Sequence, residues 1–458
     1  MPGRSSPSSS LRSPRISLDR PVVLERFRAL AAAVSAQHVL VVVLVCQLLA
    51  SAVLVAFMAA ESQINAHPDE ELHLVAGLYF REHWLPPGVG ARDTAATYSA
   101  WGFSYLDEAD IVYLFFGKAA AVGNYAGLDP ALAMRWFQVL LYWALIAWTL
   151  ARARRFAPML GFLLLTPQVW YIFSYINGDA LPFALLTVLL VELGRPDSSV
   201  RAFLSGVQPK PSPGVFIAGA LLGLLALSKL NYLVSVGFVG GAVLWLGIRR
   251  GKRFALVALV AAAIALPWAA YHSWVNDFQT GQRVAEYAER VAAPDFKPSG
   301  QGAHPFPYIA LRAKGVTLWQ VLTTLNWVGL SFRSFCGLYG WMSFVADEWM
   351  YAVFAVLYAA LLAMLVLPAA ARGPRRPQFL LLGVLVFAGL VLGQSVYRSW
   401  VYNFQGQGRY LFPVLPMLFF YWRTCEPASL RVPALVVIAL LGMHSLMSFV
   451  LIGLGALA

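Results

Sequence analysis

The string HVLVVVLVCQLLASAVLVAFMAA, residues 38–60, is followed four residues later by NAHPDEELH, Asn65 to His73. The first string is apolar and long enough for one crossing of a bilayer, which needs about 20 residues. It exceeds a signal-peptide core and a basic flank precedes it, so it reads as an uncleaved first membrane helix; Ala59 and Ala60 keep cleavage as a weaker alternative. The second string sets three consecutive carboxylates, Asp69, Glu70 and Glu71, between His67 and His73. So much charge at the end of a membrane segment calls for a reason.

The rest of the chain supports that start. Of 458 residues, 59% are hydrophobic and only 12% charged, and the mean hydropathy is +0.66. Soluble domains carry about twice that share of charge. The class is an all-α polytopic integral membrane protein. Lys and Arg number 34 against 22 Asp and Glu, a net +12. Most of the basic residues stand in short clusters between apolar runs, which is a topology signal, so no nucleic-acid partner is expected. Cys46, Cys336 and Cys425 show no metal-ligand spacing, and the topology separates them, so no disulfide is expected.

Outward from the first helix, residues 1–36 read as a disordered, basic cytoplasmic tail. Residues 37–458 form a single transmembrane domain. Further spans are expected near 133–151, 157–175, 180–193, 214–230, 232–248, 254–271, 347–369, 379–396, 410–422 and 431–457. With about eleven spans, every basic cluster falls on one side: Arg4 to Arg28, Arg152 to Arg155, Arg195 to Lys210, Arg249 to Arg253 and Arg372 to Arg376. That side is the cytoplasm. It places the N-terminus inside, in an inner or plasma membrane, and two large loops, 61–132 and 272–346, outside. Leu72, Val75, Ala76, Leu78 and Tyr79 recur at helical spacing. So do Leu318, Val321, Leu322, Leu325, Val328 and Gly329. Both faces, and the run Ile111–Val122, predict helices lying along the interface.

His67-Pro68-Asp69-Glu70-Glu71 has two readings. Pro at a helix start and acids in its first turn are ordinary helix chemistry. A carboxylate fixed at a membrane surface is also suited to act as a general base. Asp69 and His73 share a helical face and, with His67, leave a divalent metal open, though the sequence requires no cofactor. Lys229 lies between two apolar runs, where a charge is costly and seldom idle; a snorkelling side chain is the plainer reading. Arg409, with Arg398 as a weaker alternative, sits on the outer side against the usual bias and offers a fork suited to phosphate. A structural ion pair would also explain it. Asn177 and Asp179 make an Asn-Gly-Asp turn, ordinary turn chemistry that could still reach a ligand. Asp107, Glu108 and Asp110 read as a solvated face or an acceptor contact.

An acidic pair just past the first membrane helix, followed by a long outer loop, resembles the GT-C class of membrane glycosyltransferases. Three further pieces are similar to a bacterial family of unassigned function, described as predicted glycosyltransferases. They are Ser174-Tyr175-Ile176-Asn177-Gly178-Asp179-Ala180-Leu181, Gly337-Leu338-Tyr339-Gly340-Trp341 and Gln407-Gly408-Arg409-Tyr410-Leu411-Phe412-Pro413. The family's Pro-Pro-Leu-Tyr-Tyr stretch is replaced by Glu108-Ala109-Asp110-Ile111-Val112-Tyr113-Leu114. The resemblance implies a polyprenyl-phosphate-linked sugar donor and a glycan or lipid-linked acceptor in or on the membrane. Asp69 would be the base and Glu70 would orient it or an acceptor hydroxyl. Lys229, Arg409 or Arg398 would hold the donor phosphate. His67, His73, Asn177, Asp179 and Tyr410 would contact sugar or acceptor. A transporter or lipid flippase is the alternative; its signature would be repeated halves and ionisable residues inside spans.

Overall fold

Long apolar helices carry the frame. Among the described residues six are long and apolar enough to cross a membrane: Ala36–Glu61, Pro130–Arg152, Lys252–Val275, Glu348–Pro368, Pro377–Val401 and Arg431–Leu457. The computed structural model describes residues 20–153, 157–246, 251–303, 308–372, 375–425 and 431–457. The architecture is all-α. The only strands among the described residues are β1 (Leu338–Tyr339) and β2 (Phe344–Val345), one short antiparallel hairpin. Helix α1 (Arg20–Glu61) begins inside the stretch read as a tail; residues 1–19 of that stretch lie outside the described residues. The expected spans at 38–60, 133–151, 254–271, 347–369, 379–396 and 431–457 each fall on a long apolar helix.

The expected span at 157–175 does not form one helix. It is built of 3-10 turns at Ala157–Leu160 and Phe162–Leu164, then the six-residue α5 (Pro167–Ile172). Thr166 caps α5 by accepting from the Gln168 N–H, and Pro167 starts it, as a helix start prefers. The segment nevertheless crosses from one level to another. Near the end of α4 (Pro130–Ala153), Arg152 donates to Glu192 of α6 (Ala180–Gly194) at 2.7 Å. Near the start of α4, Gln138 donates to the Tyr175 and Asn177 carbonyls at 3.1 and 3.0 Å. Helices α4 and α6 therefore run parallel, and the chain between them must return. From Pro158 to Asp179 every residue except Leu165 is buried. At membrane depth, irregular backbone survives only where protein covers it. Hydropathy alone could not distinguish this protein-covered segment from a lipid-facing helix.

Three other apolar helices are short: Ala180–Gly194, Pro213–Ala226 and Leu230–Trp245. The expected span at 410–422 is a 3-10 turn, Gly408–Leu411, leading into the twelve-residue α16 (Val414–Cys425).

The loop 61–132 forms α2 (Glu70–Glu82) and α3 (Val112–Tyr125). The buried stripe of α2 is Glu70, His73, Ala76, Gly77 and Phe80. Leu72, Val75, Leu78 and Tyr79 of the expected face are only half-buried. The core takes Phe80 together with small and polar residues, while Leu78 and Tyr79 pack at its edge. Gly117 explains how close α3 comes: a Cβ there would stand 2.3 Å from the Phe80 carbonyl carbon. In the second loop the expected single face splits into α12 (Leu318–Leu322) and α13 (Trp327–Gly337), because Asn326 between them is left-handed at φ 52. Helices α14 (Glu348–Arg372), α15 (Arg375–Val401) and α17 (Arg431–Ser448) complete the frame. The loops 61–132 and 272–346 touch, since Val89 N–H donates to Asn276 at 2.8 Å and Ala293 N–H to Ala100 at 3.0 Å.

Candidate functional site

The opening string turns sharply before it becomes helix. Asn65 at φ 66 and Asp69 at φ 59 are both left-handed, a conformation that Asn and Asp tolerate better than most residues. Glu70 then starts α2 and turns inward. It is 0% exposed, and Arg135 of α4 grips it at 2.7 Å through both Nε and Nη2. The Asn65 and Ile176 N–H groups donate to the same carboxylate at 3.2 and 3.1 Å. Arg135 spends its remaining hydrogens on the carbonyls of Ala59, Ser62 and Gln63. All five guanidinium N–H donors are thus engaged. Glu70 acts on its neighbours by fixing backbone: it ties the end of α1, the start of α2 and the 174–179 segment together.

His67 is equally built in. Its Nε2 meets Ser62 Oγ at 2.8 Å and its Nδ1 meets Tyr171 OH at 2.9 Å, while Tyr175 stacks on the ring at 4.7 Å. Burial and then Arg135 hold its pKa well below the ordinary value. The Gly337–Trp341 piece closes this network from the other side. Gly340 N–H donates to Tyr171 OH at 3.0 Å, and Trp341 Nε1 donates to the Asn65 carbonyl at 2.9 Å. Gly340 has φ 58, and a Cβ there would press on Phe344. Asn177 is also scaffold, because its side chain donates to the Ile172 and Tyr175 carbonyls and accepts from the Asp179 N–H.

A second ionic group lies on the other face of the same turn. Asp179, whose side chain is 0% exposed, receives Lys229 Nζ at 2.9 Å and stands 3.8 Å from Arg409 Nε. Arg409 reaches on to Asp69 Oδ2 at 4.0 Å and donates to Tyr175 OH at 3.0 Å and to Gln407 Oε1 at 2.6 Å. Both cations lie over the Tyr410 ring, at 5.4 and 5.6 Å. The Asp69 side chain is 29% exposed and caps no backbone N–H, so it faces open space beside the cations. Asp179 Oδ1 has no hydrogen-bond partner among the described residues. Lys229 and Arg409, 180 positions apart in the sequence, therefore meet at one carboxylate.

Three side chains of residues 61–132 are more enclosed than sequence reasoning allowed. His73 stacks on Tyr105 at 4.0 Å and bonds Tyr113 OH at 2.7 Å; burial, then Lys229 and Arg409, lower its pKa well below the usual range. Asp110 is not on a solvated face. It is 4% exposed and accepts from the Val112 N–H at 3.1 Å. A Cβ on Gly178 would lie 3.3 Å from its Oδ2 and 3.7 Å from Lys229 Cδ. Burial pushes its pKa up to about 8. Asp107 caps the Tyr105–Glu108 turn and bonds Tyr98 OH; burial raises it to about 6.

The structure thus gathers Asp69, Asp179, Lys229, Arg409 and Tyr410, with His73 alongside. It commits His67, Glu70 and Asn177 to the scaffold. Arg398 stands apart, half-exposed and 3.9 Å from Glu108. Arg135 was missed, although a lone Arg within an apolar run is itself a signal. Among the described residues no three His, Cys, Asp or Glu side chains come together to hold a metal ion.

All four sequence pieces that carried the resemblance meet here. Residues 58–418 match the DUF2142 family, whose description is predicted membrane protein. The chain belongs to that family. The description assigns it to a membrane and names no activity. No curated protein matches the chain, and no solved structure does.

Proposed function

We propose that the chain transfers a sugar from a polyprenyl-phosphate-linked donor to an acceptor hydroxyl on a glycan or lipid-linked acceptor. The reading takes about eleven crossings, a cytoplasmic N-terminus and a site on the extracytoplasmic side of a bacterial inner or plasma membrane. What carries it is the convergence of one partly exposed carboxylate, Asp69, with two cations, Lys229 and Arg409, about a buried Asp179.

In the proposed step the acceptor oxygen attacks the anomeric carbon and Asp69 takes its proton. The bond from that carbon to the phosphate oxygen breaks, and the phosphate leaves with the electron pair. The charges balance in a useful way. With both carboxylates ionised, the two cations and Asp69 and Asp179 sum to zero. Once Asp69 has taken the proton, the group is positive by one, just as the leaving phosphate gains a negative charge. Fixed charge placed where charge develops is a large source of transition-state stabilisation. The step as written uses no cofactor. Glu70 positions Asp69 through the backbone of the α2 start.

The direct test is Asp69→Asn in a lipid-linked sugar transfer assay. We expect transfer to fall about 100- to 10,000-fold, the usual cost of losing a general base, with unchanged folding. Near-normal turnover would remove Asp69 as the base. One observation favours the alternative of a transporter or flippase: the broken segment at 157–179 ends in a buried carboxylate, Asp179, as transporter sites do. Lipid scrambling by the purified chain in vesicles, without sugar transfer, would decide for that alternative.

A further inference from the structure

Tyr175 stands between the two ionic groups and is 1% exposed. Its ring stacks on His67 at 4.7 Å, with Tyr171 at 4.9 Å. Its hydroxyl lies 3.0 Å from Arg409 Nη1. A guanidinium carries hydrogens and no acceptor, so the direction of that bond is fixed: Arg409 donates and Tyr175 accepts. The hydroxyl hydrogen is left over. Among the described residues nothing accepts it, since Arg409 is the one hydrogen-bond partner of this oxygen. A buried donor without an acceptor is costly, so this position gains by taking a ligand that supplies one.

Arg409 has the same surplus. It is 9% exposed, and of its five N–H donors one goes to Gln407 Oε1 at 2.6 Å and one to Tyr175. Asp179 at 3.8 Å and Asp69 at 4.0 Å are beyond hydrogen-bond distance. Nη1 and Nη2 are the two tips of one fork. The Tyr175 hydroxyl at the first and Asp69 at the second therefore border the same small space. Lys229, held by Asp179 at 2.9 Å, adds its charge from the side.

We infer that Tyr175 is a hydrogen-bond donor to the anion that Arg409 binds, its hydroxyl hydrogen meeting a non-bridging oxygen of the leaving phosphate. The inference rests on the transferase reading and adds a residue to its site. Accepting from a cation polarises the hydroxyl and strengthens it as a donor. No proton is transferred in this role. The bond from the anomeric carbon to the phosphate oxygen breaks as in the proposed step, the phosphate keeps the electron pair, and Tyr175 keeps its hydrogen. A fixed donor aimed where charge develops stabilises such a step.

The test measures calorimetric binding of geranyl phosphate to the full chain in detergent, with geraniol as the control that lacks the phosphate, beside transfer from a lipid-linked sugar. Tyr175→Phe keeps the ring on His67 and removes only the hydroxyl. It should weaken geranyl phosphate binding and lower kcat for transfer, each about tenfold, the size of one hydrogen bond to a charged group. Geraniol should not distinguish the variant from the wild type. A second variant, with 3-fluorotyrosine in place of Tyr175, separates donating from accepting and keeps the ring in its place. Its un-ionised hydroxyl is a stronger donor and a weaker acceptor, so at mildly acidic pH it should bind geranyl phosphate at least as tightly as the wild type. Weaker binding there would make Tyr175 merely an acceptor that positions Arg409. Wild-type binding and turnover in Tyr175→Phe would give it neither role. Either result overturns the inference, as does a wild-type chain that does not bind geranyl phosphate. The probe carries no sugar, so its binding is independent of transfer. Binding that depends on Tyr175, without transfer, would defeat the transferase reading and leave the donor role standing. Transfer indifferent to Tyr175 would do the reverse.

Discussion

Two buried ionic groups lie three residues apart on one turn of chain, and they are built differently. At Ile176 the backbone N–H joins the Glu70–Arg135 pair, with side chains 0% and 3% exposed. Every guanidinium hydrogen there is used and both carboxylate oxygens are held. At Asp179 the contacts are 2.9 and 3.8 Å, Arg409 lies 4.0 Å from Asp69, one Asp179 oxygen has no partner among the described residues, and Lys229 and Asp69 remain partly exposed. A saturated pair has nothing left to offer a ligand. A buried carboxylate shared by two cations, with an orphaned oxygen and one exposed neighbour, keeps unspent capacity. The first group holds the fold, and the second is where the proposed transfer would take place.

That contrast breaks if the two groups respond alike to mutation. Glu70→Gln should cost about 3–5 kcal/mol of stability, because it leaves the Arg135 charge buried without its counter-charge. Asp179→Asn should cost clearly less, since Lys229 is partly exposed and water can reach it. Thermal unfolding of the purified variants in one detergent checks the order. Equal losses would mean that Asp179 is as structural as Glu70. From sequence Glu70 is expected to orient Asp69 or an acceptor hydroxyl; its paired contacts with Arg135 add a structural task to that expectation.

A smaller effect sharpens the comparison from the active side. Arg409→Lys keeps the charge but gives up the fork that bonds Tyr175 OH and Gln407 Oε1. If Arg409 binds phosphate, kcat/KM for the lipid-linked donor should fall about tenfold, comparable to one hydrogen bond to a charged group. The unfolding temperature should stay near that of the wild type. Unchanged kinetics would confine Arg409 to an ion-pair role.

Much of the site was legible because polar residues are scarce in this chain. Lys229 stands between apolar runs, and Asp69, Asp179 and Arg409 stand in short polar stretches that adjoin such runs; all four reach the same place. What sequence could not show was pairing. Asp69 and Glu70 are neighbours and look interchangeable, yet the left-handed turn at Asp69 sends one outward and the next into Arg135. The segment 157–175 reads as a span since hydropathy cannot tell whether lipid or protein covers an apolar residue. Pro158 and Pro167 were the available warnings. Asp110 looked solvated because it stands in an acidic cluster; only the packing of Gly178 and α3 around it shows otherwise.

Asp110 also supplies the subtlest check on how tightly the second group is enclosed. Burial raises its pKa to about 8, against an unfolded value near 4. The folded chain then keeps a proton that the unfolded chain releases. Stability from this group is complete below the unfolded value and is lost as pH rises toward 8, by at most about 1.4 kcal/mol per pH unit. The neighbours that set the shift are Val112 N–H, Glu108, Lys229 and Asp179. His67 and His73 act in the opposite direction, their lowered values costing stability only as pH falls below about 6.5. Asp107, raised to about 6, contributes mainly below that pH. Between pH 7 and 8 the slope therefore belongs mainly to Asp110. Wild type should lose unfolding temperature across that interval, while Asp110→Asn, which cannot titrate, should be nearly flat. A variant that keeps the full wild-type slope would show that Asp110 is hydrated, and that the enclosure around Lys229 and Asp179 is looser than the packing against Gly178 indicates.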